Sequence, residues 1–177
     1  PELQPEDSEH SFCADAAARG RIERLAMQAV IEAERALGHM AHDVSAEKCG
    51  WDITAVCHCH GHPACIERRI EVKGRAKGQS TITVTRNEIS QALDHPDHFI
   101  LAVALIAPDD RIEGPYYIRN PFEQKPDWAE TSRNLDLDLL LQRSVSPLES
   151  IRVGSSAIAH TPHISEEARR ETGAQPG

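Results

Sequence analysis

Ile70-Glu71-Val72-Lys73 is the stretch on which the reading of this chain turns. Side chains alternate across a strand, so Ile70 and Val72 share one face while Glu71 and Lys73 emerge together on the other. Upstream, residues 51–56 (Trp-Asp-Ile-Thr-Ala-Val) alternate in the same way. They read as a strand with Trp51, Ile53 and Ala55 facing the core and Asp52 and Thr54 opposite. If the two strands pair, Asp52 comes within reach of Glu71. Carboxylates that converge repel each other, and a divalent cation relieves the repulsion. Mg²⁺ prefers oxygen ligands and keeps several waters, so two carboxylates and a substrate phosphate suffice to hold it. A neighbouring lysine can orient or deprotonate a metal-bound water and stabilise charge on the phosphate. The bland alternative is an amphipathic strand whose acid and lysine are merely solvated.

Working outward, Ala14 to Leu37 predicts a helix, with Ile22, Leu25, Ala26, Ala29, Val30, Ala33 and Leu37 at helical spacing and Gly38 as its stop. His39 to Gly50 reads as a connection. Ile66–Lys73 and Ser80–Thr85 read as the second and third strands, and Arg86–Leu93 as a helix ending near Pro96. Phe99–Ile106 is an almost wholly apolar run of the kind that fills a buried central strand. Pro115–Arg119 reads as a short strand, and Leu135–Arg143 as a helix with Leu135, Leu139 and Leu140 inward. The order predicts an α/β (α+β) fold in which helices flank a mixed sheet. Residues 1–13 are expected to be a disordered acidic tail, 14–145 the domain, and 146–177 an extension ending in a polar tail.

The chain has 177 residues and a net charge of −9, which argues against a passive basic nucleic-acid binder. The charge is uneven, however. Between Ile66 and Arg86 six basic residues (Arg68, Arg69, Lys73, Arg75, Lys77, Arg86) face two acids. Arg68, Arg75, Lys77 and Arg86 are therefore candidate phosphate contacts, against the alternative of a solvated hairpin face. No apolar run approaches the roughly 20 residues that span a bilayer. Five Cys, three of them crowded into one loop, do not have the spacing of a disulfide framework, so a reducing cytoplasm is expected. A chain that opens without Met reads as a piece of a longer protein.

The segment from Leu25 to Ile106 resembles the NO VEIN C-terminal domain family, which is placed among the PD-(D/E)XK restriction-endonuclease-like folds. Four pieces carry the likeness: Glu34-Arg35, Gly50-Trp51-Asp52-Ile53, Ile70-Glu71-Val72-Lys73-Gly74 and Thr85-Arg86-Asn87-Glu88. Gly114–Phe122 and Leu135-Asp136-Leu137 resemble an extension found in bacterial members attached to helicase-like ATPases. The resemblance implies a restriction-endonuclease-like core and Mg²⁺ or Mn²⁺ held by Asp52 and Glu71. It also implies Lys73 as the catalytic lysine, DNA as substrate, and a helicase or ATPase portion elsewhere in the parent chain. An acid of the first helix often completes such sites; of Glu32 and Glu34, the second matches the family's Glu-Arg position.

Cys57-His58-Cys59-His60-Gly61-His62-Pro63-Ala64-Cys65 offers a second metal chemistry. Zn²⁺ takes four thiolate or imidazole ligands in a tetrahedron, which Cys57, Cys59, Cys65 and a histidine such as His60 would supply. The alternatives are a reduced surface loop or a Cys pair across a hairpin. A zinc deaminase is excluded, because neither His-x-Glu nor Pro-Cys-x-x-Cys is present. Two readings remain open from the sequence: a metal-dependent nuclease domain, and a non-catalytic nucleic-acid or protein-binding module of the same fold.

Overall fold

The computed structural model describes residues 5–57 and 67–151. Along the chain lie α1 (Pro5–Ala36), β1 (His39–Asp43), a 3-10 turn (Ser45–Glu47), β2 (Ile53–Cys57), β3 (Arg68–Ala76) and β4 (Thr81–Thr85). Then follow α2 (Arg86–Asp94), β5 (Phe99–Ile106), β6 (Ile112–Arg119), β7 (Ser132–Asp136) and α3 (Leu137–Gln142). Five strands form a mixed sheet in the order β1-β2-β3-β5-β6, and β4 pairs with β7 in a separate two-stranded sheet. This is the α/β class expected, with helices on both faces of a mixed sheet.

The apolar run of β5 sits at the centre, parallel to β3 and antiparallel to β6. Each of its faces meets a separate core. On one side Val30 of α1 packs with Ile53, Ala55, Ile70, Ile100, Ala102 and Tyr117. On the other, Leu101 and Val103 pack with Ile82, Val84 and Ile89 of β4 and α2, and with Leu137 and Leu140 of α3. A strand buried on both faces needs apolar residues at successive positions, which is why β5 shows no alternation.

Several expectations are corrected. The first helix starts at Pro5, not Ala14; proline is tolerated in a first helical turn. His39–Gly50 holds β1 and the 3-10 turn rather than a plain connection. Leu135 belongs to β7, so the following helix begins at Leu137 and turns Leu139 out to solvent. Trp51 leaves the face of Ile53 and Ala55: the chain turns at Gly50, whose φ is +97°, and Trp51 packs on the α2 side. There its ring carries the Arg69 guanidinium at 4.6 Å. Gly50 also lets the backbone approach α2, since a Cβ there would lie 2.8 Å from Asn87 Nδ2.

Candidate active site at the open edge of β3

β2 and β3 pair through only three positions, Ile53 with Ile70, Thr54 with Arg69 and Ala55 with Arg68. Beyond Ile70 the edge of β3 has, among the described residues, no strand beside it on that side. A buried strand N–H left unpaired is costly, and Asp52 removes the cost: its Oδ2 accepts from Val72 N at 2.9 Å. The backbone of Asp52 holds the same corner, with its N–H donating to the Ile70 carbonyl and its carbonyl accepting from Val44 N. A residue in a strand points its N–H and C=O to the same edge, so the Val72 carbonyl also faces this gap.

Glu71 and Lys73 share one face of β3, as expected, but that face is covered rather than solvated. Glu71 is only 5% exposed, and its Oε1 lies 2.7 Å from Lys73 Nζ. The second partner of Lys73 is Glu88, whose Oε2 stands 2.9 Å away. Glu88 is the N3 residue of α2 in a reciprocal capping box with Thr85, its Oε2 also accepting from Thr85 N. The cap thus fixes the carboxylate that fixes the lysine. Sequence reasoning noted the Thr85–Glu88 segment but gave Glu88 no role. The Thr-x-x-Glu spacing marks a helix start, and only the fold brings that start to Lys73.

The electrostatics follow from three carboxylates meeting one ammonium. Burial pushes the Glu71 carboxyl up to about 8; Lys73 pulls it back, while Asp52 and Glu88 push it further. Burial likewise raises Asp52, outweighing its hydrogen bond from Val72. Burial disfavours the Lys73 ammonium, but Glu71 and Glu88 outweigh it and raise its pKa, so the lysine stays protonated. Asp52, Glu71 and Lys73 line one cavity of about 950 Å³, bounded by α1 on one side and Thr83 of β4 on the other. Gly74 lets α1 pack directly on β3 at this point, because a Cβ there would meet the Ile22 carbonyl at 2.8 Å.

Other candidates lie elsewhere. Glu34 does not reach the cavity. It is fully buried, 2.6 Å from His39 Nδ1 and 3.1 Å from Arg68 Nη2. Burial would raise its carboxyl, but His39 and Arg68 hold it below the usual range. The α1 stripe that lines the cavity runs instead through Glu23, Arg24, Met27, Ile31 and Arg35, and of the two competing acids it includes Glu32. Arg68, expected at a phosphate, is 5% exposed and donates to Glu34 and to Ser150 Oγ. Position 68 lies two residues from Ile70 and so points to the α1 core. Lys77 is exposed and paired with Glu113, and Arg86 donates to the Trp128 carbonyl at the start of α2. Arg75 lines the cavity. Cys57 is disulfide-bonded, so its sulfur is not the thiolate that zinc requires; Cys59, Cys65 and His60 lie outside the described residues.

Among the described residues no three His, Cys, Asp or Glu side chains form a ready metal cage. The donor set at β3 still suits a hard divalent cation, with Asp52, Glu71 and Val72 lining one cavity and negative charge in excess of the single ammonium. Among the described residues no helix is long and apolar enough to cross a membrane.

No curated protein sequence matches the chain. Among solved structures, the 1.6 Å structure of Hjc, a Holliday junction resolvase from the archaeal hyperthermophile Archaeoglobus fulgidus, is similar over 76% of this chain and 96% of its own. Its TM-score is 0.47 and its identity 15%. Residues 22–118, which include Asp52, Glu71, Lys73 and Glu88, match the family of the NO VEIN protein C-terminal region. The chain belongs to the NO VEIN C-terminal family.

Proposed function

We propose that this chain is a nuclease-type domain that hydrolyses DNA phosphodiesters with the help of Mg²⁺ or Mn²⁺. The observation that carries the reading is the meeting of Asp52, Glu71 and Lys73 at the open edge of β3, on the wall of a cavity. Asp52 and Glu71, with the Val72 carbonyl, would hold the ion. When bound, such an ion supplies Lewis-acid polarisation and neutralises charge on a phosphoryl oxygen. Lys73 does the rest from a fixed position. Its protonated ammonium, anchored by Glu88, orients the attacking water and stabilises the charge that develops on the phosphoryl group. We further propose that the domain works as part of a longer helicase- or ATPase-bearing chain that acts on DNA.

Mn²⁺ binding followed by electron paramagnetic resonance tests the ligand assignment. The expected result is one weak site per chain, strengthened by an uncleavable DNA oligonucleotide and lost in both Asp52→Asn and Glu71→Gln. Binding that survives in both variants would overturn the assignment.

A further inference from the structure

Arginines on both walls of the cavity, α1 and β3, stand outside the ion pairs of the fold, with Glu23 and Glu32 of α1 lining it beside them. Arg24, Arg35 and Arg75 line the cavity. Among the described residues Arg24 and Arg35 have no carboxylate ion pair, whereas Arg75, on β3 itself, feels the charge of Glu23, and Arg21, Lys77, Arg111, Lys125 and Arg133 are all paired. Arg24 and Arg35 are exposed and lie on one stripe of α1. They stand eleven residues apart, about 16 Å along the axis at 1.5 Å per residue. Two fixed positive charges at that separation suit phosphates a few nucleotides apart on one strand.

The facing wall is formed by β4, whose Thr81, Thr83 and Thr85 are exposed while Ile82 and Val84 are buried. Thr83 lines this cavity, and Thr81 and Thr83 line an adjoining one of about 520 Å³ that shares Glu23, Gly74 and Arg75 with it. The two make one trough between α1 and β4. At the end of β4 the chain enters α2, and there Arg86 holds the carbonyl of Trp128 at 2.6 Å. Trp128 is 84% exposed, in a loop fixed by Asp127, Glu130 and Arg133. Trp128 lines neither cavity but sits beside the first residue of α2, at the end of β4, and its exposed ring presents a face on which a base can stack.

We infer that the trough binds single-stranded nucleic acid, with flanking phosphates on Arg24 and Arg35 of α1 and an unpaired base stacked on Trp128. The inference rests on the nuclease reading and names its substrate class. A duplex keeps its bases stacked on one another and gives Trp128 nothing to bind, so strand ends, flaps or opened strands are the ligands this surface fits.

Fluorescence anisotropy of the full 177-residue chain with a labelled 20-nucleotide DNA, single-stranded or as a blunt duplex, tests it. EDTA is present so that nothing is cut. The single strand should bind more tightly than the duplex. Arg24→Ala with Arg35→Ala should weaken single-strand binding roughly tenfold and flatten the log–log salt slope by about 1.4, or about 0.7 per phosphate contact. Trp128→Ala should weaken it roughly tenfold with little change in that slope. All three sites are exposed, and circular dichroism would verify that the variants fold. Wild-type binding that is unchanged in both variants, or equal for duplex and single strand, would overturn the trough while leaving the nuclease reading intact. A wild-type chain that binds neither DNA would overturn both.

Discussion

At Glu71 the carboxyl is pushed up to about 8, chiefly by burial and then by Asp52 and Glu88. The consequence for stability has a definite sign. Between the ordinary value of 4.5 and about 8 the folded chain keeps a proton at Glu71 that the unfolded chain has released. Where the folded state binds more protons, stability falls as pH rises. The contribution of Glu71 is therefore complete below pH 4.5, declines through the window, and is gone above about 8. Glu71→Gln has no such group. In urea melts without divalent metal, the variant should match the wild type near pH 4.5 and become progressively more stable than it up to about pH 8. A constant difference across that range would show that the carboxyl is not strained as described. The same residue corrects a plain amphipathic reading of β3. The side of the strand opposite Ile70 is covered by β4 and α2, and the acid is held against them with little of its surface open to water.

At the scale of elements, local pattern was legible and long-range pairing was not. The apolar run from Phe99 to Ile106 matches β5 residue for residue, because a two-sided core leaves no position for a polar side chain. The alternation around Glu71 was also readable, since the faces of a strand are a local property. β1 and β7 were missed. His39-Met40-Ala41-His42-Asp43 and Ser132-Arg133-Asn134-Leu135-Asp136 are sheet edges with few buried positions, and strand character there comes from the partner. The site divides in the same way. Asp52, Glu71 and Lys73 were visible in sequence, whereas Glu88 reaches Lys73 only through the placement of α2. Glu34 went the other way: helical spacing could not tell the cavity stripe of α1 from its buried one. It ties α1 to β1 and β3 through His39 and Arg68, with the buried Tyr117 hydroxyl beside it. Glu34→Ala should leave the Arg68 charge buried without its partner and cost about 3–5 kcal/mol, read from chemical denaturation. A loss below about 1 kcal/mol, the range of surface pairs, would contradict a structural role.

At the scale of the molecule, an acidic chain places Arg24 and Arg35, neither in a carboxylate ion pair among the described residues, along the trough that holds its acidic cluster. Net charge of −9 keeps long-range attraction to DNA weak, so productive contact depends on the local surface of α1 and on the ion. The most direct test of the central claim is cleavage of a labelled DNA flap substrate by the purified chain in Mn²⁺. Wild type, Asp52→Asn, Glu71→Gln and Lys73→Ala are compared, each first shown to be folded. The account predicts cutting by the wild type that EDTA stops, and a loss of at least about a hundredfold in each variant, the size seen when one charge-stabilising group is removed from such sites. Cutting that persists in Asp52→Asn or Glu71→Gln, or a folded wild type that cuts no DNA in Mn²⁺, would contradict it.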